Sequence, residues 1–181
     1  MSSLLRVNEI RTTSDVLRRG IESYAIICDE KSDGTHAGTF TSGSWLGRDL
    51  NTKITDPDNI VSISSNRFTL GAGNYIVHAS APAIEVNRHQ IRLNDVTNST
   101  VKEYGSSEYS NNANGYATTR SMLETRLIVT ASTTYEIEHR CHTTRNSFGF
   151  GVDTGFGGVN IYLIVKIFKE IVLKIVSIKK Y

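Results

Sequence analysis

NYIVHASAPAIEVNRHQIRLN, residues 74–94, is the stretch on which the fold turns. Tyr75 to Ser80 is an apolar-rich run that opens after Gly71 and Gly73. Ala81-Pro82-Ala83 reads as an interruption, because proline has no N–H to give a β-ladder. From Val86 to Asn94 the alternation is strict: His89, Ile91 and Leu93 fall on one side, Arg88, Gln90, Arg92 and Asn94 on the other. Successive side chains leave a strand on opposite faces, so period two marks a half-buried strand. The stretch therefore predicts central strands of an antiparallel sheet with a dry inner face and a wet outer one. Two arginines, a glutamine and an asparagine make that outer face a surface for polar contact, not for a small apolar ligand.

The flanking chain carries the same texture. YAIIC (24–28) reads as a buried strand and KSDGTHAG (31–38) as a turn-rich loop. TFTSGSW (39–45) alternates, with Phe40 on the side of Ser42 and Ser44. Asp56-Pro57-Asp58-Asn59 signals a turn before the strand IVSIS (60–64). TTYEIEHRCH (133–142) has the cleanest alternation: Tyr135, Ile137, His139 and Cys141 against Thr134, Glu136, Glu138, Arg140 and His142. RSMLETRLIVT (120–130) fits a strand or a short helix, and its β-branched end favours the strand. VNIYLIVKIF (159–168) is the last strong strand, with Ile161, Leu163, Val165 and Ile167 expected on one face. Between the central strands and residue 120 lies a long polar segment, 94–119, holding Tyr104, Tyr109 and Tyr116. A segment of that kind is a functional loop or a pair of weak edge strands.

The two ends differ from the middle. Leu4, Leu5, Val7 and Ile10 are the apolar anchors of residues 1–20, and Ser14 is placed to cap a short helix ended by Gly20. That is too little to fold alone, so the segment reads as a docking arm or as a strand that completes another chain's sheet. The tail 169–181 fits helical and strand periods equally. The simplest partition is an arm (1–20), one β-domain (21–168) and a C-terminal extension (169–181).

Length and composition agree with one globular domain: 181 residues, 39% hydrophobic and 21% charged. A net charge of +2 gives no argument for nucleic acid or an anionic membrane. No apolar run reaches membrane-spanning length, and the first residues lack a signal-peptide core. Fourteen glycines against two prolines, with abundant Ser, Thr and Asn, favour an all-β chain. Cys28 and Cys141 are far apart and read as two buried free thiols.

Chemistry is harder to find. His139, Cys141 and His142 invite a zinc reading, but a zinc site needs about four ligands and no second close pair exists. His78 and His89 read as core or half-buried histidines instead. Glu136 and Glu138 imitate a glycosidase pair, yet with Arg140 on the same face they read as a salt-bridged surface. No nucleophile elbow, phosphate cradle or calcium-loop spacing is present in the sequence. No catalytic residue, cofactor or metal ligand is therefore assigned. The tyrosines remain. Tyrosine gives contact area at low entropy cost while Ser and Asn supply adaptable hydrogen bonds, the composition of a recognition surface.

Several runs together carry a resemblance. The strand Gly73-x-Tyr75-x-Val77, the glycine-rich loop GFGVDTGFGG (149–158) and the closing strand NIYLIVKIF resemble the jelly-roll head of the complement and tumour-necrosis-factor superfamily. AGTFTSGSW (37–45), RDLNT (48–52), SISSNRFTL (62–70), SAPA (80–83), NRHQIRL (87–93), GSSEYS (105–110) and HRCHTT (139–144) resemble phage-encoded virion proteins of similar design. The opening SSLLRVNEIRTTS resembles the leader of tail-fibre and related virion proteins. The resemblance implies an antiparallel β-sandwich of jelly-roll type that forms a homotrimer around flat apolar and aromatic faces. It implies a virion structural protein without catalysis. Leu4, Leu5, Val7 and Ile10 would attach it to other virion proteins. Arg88, Arg92, Tyr104, Tyr109 and Tyr116, with the loops 98–119 and 146–158, would contact a host surface glycan or protein. The alternative role on the same fold is a capsid cement or head-decoration protein. The group's chains lack the extension after Lys169, and this chain has no stalk, so assembly would rest on the head itself.

Overall fold

The structure, a computed structural model, describes residues 20–111 and 117–171. They form twelve β-strands: β1 (Ile21–Lys31), β2 (Leu46–Gly47), β3 (Thr52–Thr55), β4 (Val61–Ser64), β5 (Arg67–Leu70), β6 (Gly73–Ile84), β7 (Asn87–Asp95), β8 (Thr100–Tyr104), β9 (Glu108–Ser110), β10 (Thr118–Val129), β11 (Thr133–Cys141) and β12 (Asn160–Glu170). Every strand pairing is antiparallel. One sheet has the order β10-β6-β12-β1-β3; the other runs β4-β5-β11-β7-β8, with β2 also on β11 and β9 also on β7. No helix among the described residues is long and apolar enough to cross a membrane.

The alternating stretches fold as their period dictates. On β7, His89, Ile91 and Leu93 are buried while Arg88, Gln90, Arg92 and Asn94 look outward. On β11, Tyr135, Ile137, His139 and Cys141 are buried. Register pairs the two strands from Tyr135–Asp95 to Cys141–His89. Their inner residues meet Tyr75, Val77 and Ala79 of β6, Ala25 and Ile27 of β1, and Leu163, Val165 and Ile167 of β12 in one dry core. Burying a side chain of this size is worth about 1.5–3 kcal/mol, so this double layer is the main source of stability.

Three expectations need correction. Ala81-Pro82-Ala83 does not interrupt the strand, and β6 continues to Ile84. Pairing with β12 stops at Ser80, so Pro82 lies beyond that ladder's end, where a missing N–H costs little. Its carbonyl accepts a hydrogen bond from the Arg48 guanidinium. The true break is Glu85-Val86, where the chain crosses between sheets with positive φ at Glu85 (54°) and Asn87 (58°). Second, TFTSGSW is not a strand: Phe40 makes an isolated bridge with Arg145, and the chain bends before the short β2. Third, Ile161 leaves the face of Leu163, Val165 and Ile167. A register shift against β1 between Cys28–Ile164 and Glu30–Ile161 turns it outward, 38% exposed, and turns Tyr162 inward.

Other expectations hold in modified form. The polar segment after β7 contains the short edge strands β8 and β9, and 120–129 is strand. Strand β12 extends past residue 168 to Glu170, whose buried carboxylate accepts from Arg126 Nε at 2.7 Å. Cys28 and Cys141 are buried free thiols, and burial pushes both up to about 11. Leu4, Leu5, Val7, Ile10, the helix expected after Ser14, Tyr116 and the tail beyond Ile171 lie outside the described residues.

A second, smaller core closes one end of the sandwich. Phe40, Ala83, Val86 and Cys141 form it, with Leu46 and Phe150 against them. The loop 146–158 folds back here: Phe150 stacks on Phe40 at 4.2 Å, and Ala37 N donates to Gly151 O. Gly151 is required, because φ is +148° and a Cβ would stand 2.3 Å from the Tyr162 ring. Only Phe156 of the three loop phenylalanines is fully outside, at 89% exposure.

Candidate functional site

Outward side chains of β7, β9 and β11 and the bend at 42–45 enclose an open groove of about 650 Å³ near this closed end. Its wall includes Trp45, Arg88, Gln90, Tyr109, Arg140 and His142. Strand pairing explains the assembly. Arg88 lies opposite Tyr109 across β7–β9, and Arg140 lies opposite Gln90 across β11–β7. His142 donates its backbone N–H to Arg88 O at 2.8 Å, extending the same ladder. Gln90 Nε2 donates to Gly105 O at 2.8 Å, which fixes the chain between β8 and β9 against the groove. Gly105 has no room for a side chain there: a Cβ would sit 2.7 Å from the Met122 carbonyl oxygen.

Trp45 is the hub. The Arg92 guanidinium stacks over its ring at 4.3 Å, and the Tyr104 ring lies 6.0 Å away. Arg92 Nε in turn donates to Glu138 Oε2 at 2.5 Å across the β7–β11 pair. Arg92 is thus committed to holding the indole, a cation–π contact reinforced by a charge-assisted hydrogen bond. Arg67 similarly engages Glu136 at 3.3 Å. The expected salt-bridged surface exists, but Arg140 is not its partner. Among the described residues neither Arg140 nor Arg88 forms an ion pair. The one carboxylate on the groove wall, Glu108, accepts from Ser106 Oγ at 2.7 Å.

Beneath the groove lies a buried polar pair. His89 Nδ1 and His139 Nε2 are 3.0 Å apart, and His89 Nε2 is 2.7 Å from Thr119 Oγ1. Among the described residues His139 Nδ1 has no partner. A bare lone pair costs less than an orphan N–H. The pair is therefore neutral, with His139 Nε2–H donating to His89 and His89 Nε2–H donating to Thr119. Burial pushes His89 down to about 4 and His139 well below the usual imidazole value. Arg48, fully buried beside them, donates to Pro82 O at 3.3 Å and Phe150 O at 3.0 Å and stacks over the Phe150 ring at 4.2 Å. Cys141 Sγ is taken up by the carbonyls of Phe40 and Thr143, so the histidines and the thiol serve the core.

Of the residues singled out in the sequence as host contacts, the structure gathers Arg88, Arg92, Tyr104 and Tyr109 on one outer face. Tyr104 and Tyr109 are 52% and 57% exposed; Arg92 is half-buried and structural. Trp45 and Arg140 went unrecognised. The sole tryptophan in a polar run was the available signal for Trp45. For Arg140 it was the surplus arginine on a strand face with two glutamates.

No protein-family profile matches the chain, and no curated protein matches it in sequence. Solved structures do match. The globular domain of zebrafish complement 1qA protein superimposes with a TM-score of 0.50 at 14% identity, covering 81% of this chain and 95% of that one. Murine APRIL at pH 8.5 gives 0.51 at 6% identity, covering 84% and 99%. The chain has the complement C1q and tumour-necrosis-factor jelly-roll fold. At these identities the likeness carries the jelly roll alone. The groove is built from side chains of this chain, and its chemistry has to be argued from them.

Proposed function

We propose that the chain is a virion structural protein: a trimeric, non-catalytic jelly-roll head that recognises a host surface through the groove around Trp45. One observation carries the recognition role. Residues scattered from 45 to 142 bring an indole, two exposed tyrosines and two arginines without an ion pair among the described residues to one face, held by a framework of committed polar contacts. Rigid aromatics amid adaptable polar groups suit recognition of a polar surface. Both glutamates of the apparent glycosidase pair are engaged by arginines, which supports binding over hydrolysis. The phage origin and attachment through residues 1–20 rest on the resemblance of the sequence runs quoted above.

The outer face of the other sheet supports assembly. Register sets Arg126, Ile76, Phe168 and Tyr24 in one row and Met122, Ser80 and Ile164 two rows on along the same face, with Glu124, His78 and Lys166 between them. Met122 is 60% and Ile128 68% exposed, and a hollow lined by Met122, Ile164 and Phe168 together with His78, Glu124 and Lys166 lies on the same face. Large exposed hydrophobic side chains bracketing a charged row on a sheet face of an isolated subunit suit an interface, and the proposed occupant is a second and third copy.

Retention of the full chain on bacterial envelope preparations tests the recognition role. The Trp45→Ala/Tyr109→Ala variant should lose retention while its circular dichroism stays that of a β-sandwich. Undiminished retention would argue against the groove. Gold labelling of particles separates a fibre position from the capsid-decoration alternative.

A further inference from the structure

We infer that the groove takes a carboxylate-bearing saccharide, an inference that rests on the recognition role just proposed. Three features of the wall select this ligand class. The first is charge. Arg88 and Arg140 are diagonal neighbours on β7 and β11, and neither has an ion-pair partner among the described residues, whereas every nearby outer-face arginine does: Arg67 with Glu136 and Arg92 with Glu138. Glu108 is the single opposing carboxylate, and Ser106 already donates to it. On a chain of net charge +2, two uncommitted guanidiniums on one wall are a local surplus. A guanidinium presents paired N–H donors whose spacing matches the two oxygens of a carboxylate.

The second feature is the aromatic wall. Arg92 occupies one face of the Trp45 indole, and the rest of the ring lines the groove with Tyr109. Flat aromatic surface beside hydrogen-bonding groups suits the C–H face of a sugar ring better than an extended peptide, which would seek a free strand edge. The third is a set of neutral polar groups on the same wall, Ser42, Gln90 and Ser107. Gln90 Nε2 is spent on Gly105 O and Ser107 Oγ, and Ser42 Oγ contacts Thr144 Oγ1, which leaves oxygen acceptors for sugar hydroxyls. Gln90 is held in place by Gly105 O, so its amide is pre-oriented. The groove is open, about 650 Å³, which admits a ligand that extends beyond its ends instead of enclosing a small molecule.

Trp45 is the only tryptophan, so its fluorescence reports the groove directly. The full chain is titrated with oligomers of galacturonate, guluronate, hyaluronan and polysialic acid, with neutral dextran oligomers and poly-L-glutamate as controls. The expected result is a saturable change with at least one acidic saccharide, weakened by salt and absent with dextran and poly-glutamate. Arg88→Gln/Arg140→Gln should lower that affinity at least tenfold, while Arg67→Gln, outside the groove, leaves it unchanged. Each arginine is exposed, so the variants fold. No response to any acidic saccharide overturns the inference, as does equal response to dextran, to poly-glutamate, or in the Arg88/Arg140 variant. A response to dextran that Tyr109→Ala, which keeps the Trp45 reporter, abolishes leaves groove recognition standing and removes only the acidic specificity. Envelope retention that ignores the groove variants removes both.

Discussion

Acid should loosen this fold through the histidines under the groove. In the unfolded chain each imidazole takes up its proton near 6.5; in the folded chain burial, helped by the Arg48 guanidinium, holds His89 neutral to about 4. His139 is displaced in the same direction by burial, Arg48 and His89. The unfolded state therefore binds more protons across this window, and stability falls as the pH drops through it. A proton on His89 also turns the acceptor of the 3.0 Å His89–His139 contact into a second donor facing the first. Going from pH 7 to 4.5, His89 alone accounts for a loss of about 2.5 kcal/mol, and His139 adds to it. Against a domain stability of about 5–15 kcal/mol, that is a large share. Urea unfolding at both pH values, at one fixed protomer concentration, measures the difference. Carboxylates respond to acid too, so the comparison is made with His89→Gln, whose amide can still bond Thr119. Whatever its absolute stability, that variant should lose about 2.5 kcal/mol less than the unaltered chain over the same interval. Identical losses in both would refute the neutral buried pair.

Arg48→Ala should cost about 3 kcal/mol or more, since it leaves the Pro82 and Phe150 carbonyls without their donor and opens a void beside the Phe150 ring; an unfolding midpoint unchanged in urea would show that the guanidinium is not holding the closed end. Met122→Glu/Phe168→Glu places further charge on that sheet face and should convert trimers to monomers on size exclusion while leaving the groove's fluorescence titration intact.

Period-two stretches made the two central strands legible. Every inward residue expected on β7 and β11 is inward, because alternation is a purely local consequence of the pleat. What depends on register was not legible. Ile161 changed faces through a bulge formed with β1, a strand over a hundred residues away. Pro82 read as a break because a local rule ignores where the neighbouring strand ends. The closed end was hidden for a different reason: Phe40 stands in a stretch whose alternation reads as a strand that does not form, and Phe150 in a glycine-rich loop without period. At the site, composition picked out Arg88, Tyr104 and Tyr109 correctly as exposed. It missed that Arg92 is tied down, since its partners Glu138 and Trp45 are brought to it only by cross-strand pairing. Trp45 was overlooked because its segment, which alternates in sequence, bends in the fold and carries the indole to the outer face.

Assembly by threes underlies the proposed role, and mass in solution tests it most directly. Light scattering on the purified full chain should give about three times the 20.0 kDa protomer, constant over a wide dilution range. A stable species at the protomer mass would contradict it, leaving the sheet face of Met122, Ile164 and Phe168 without the occupant assigned to it.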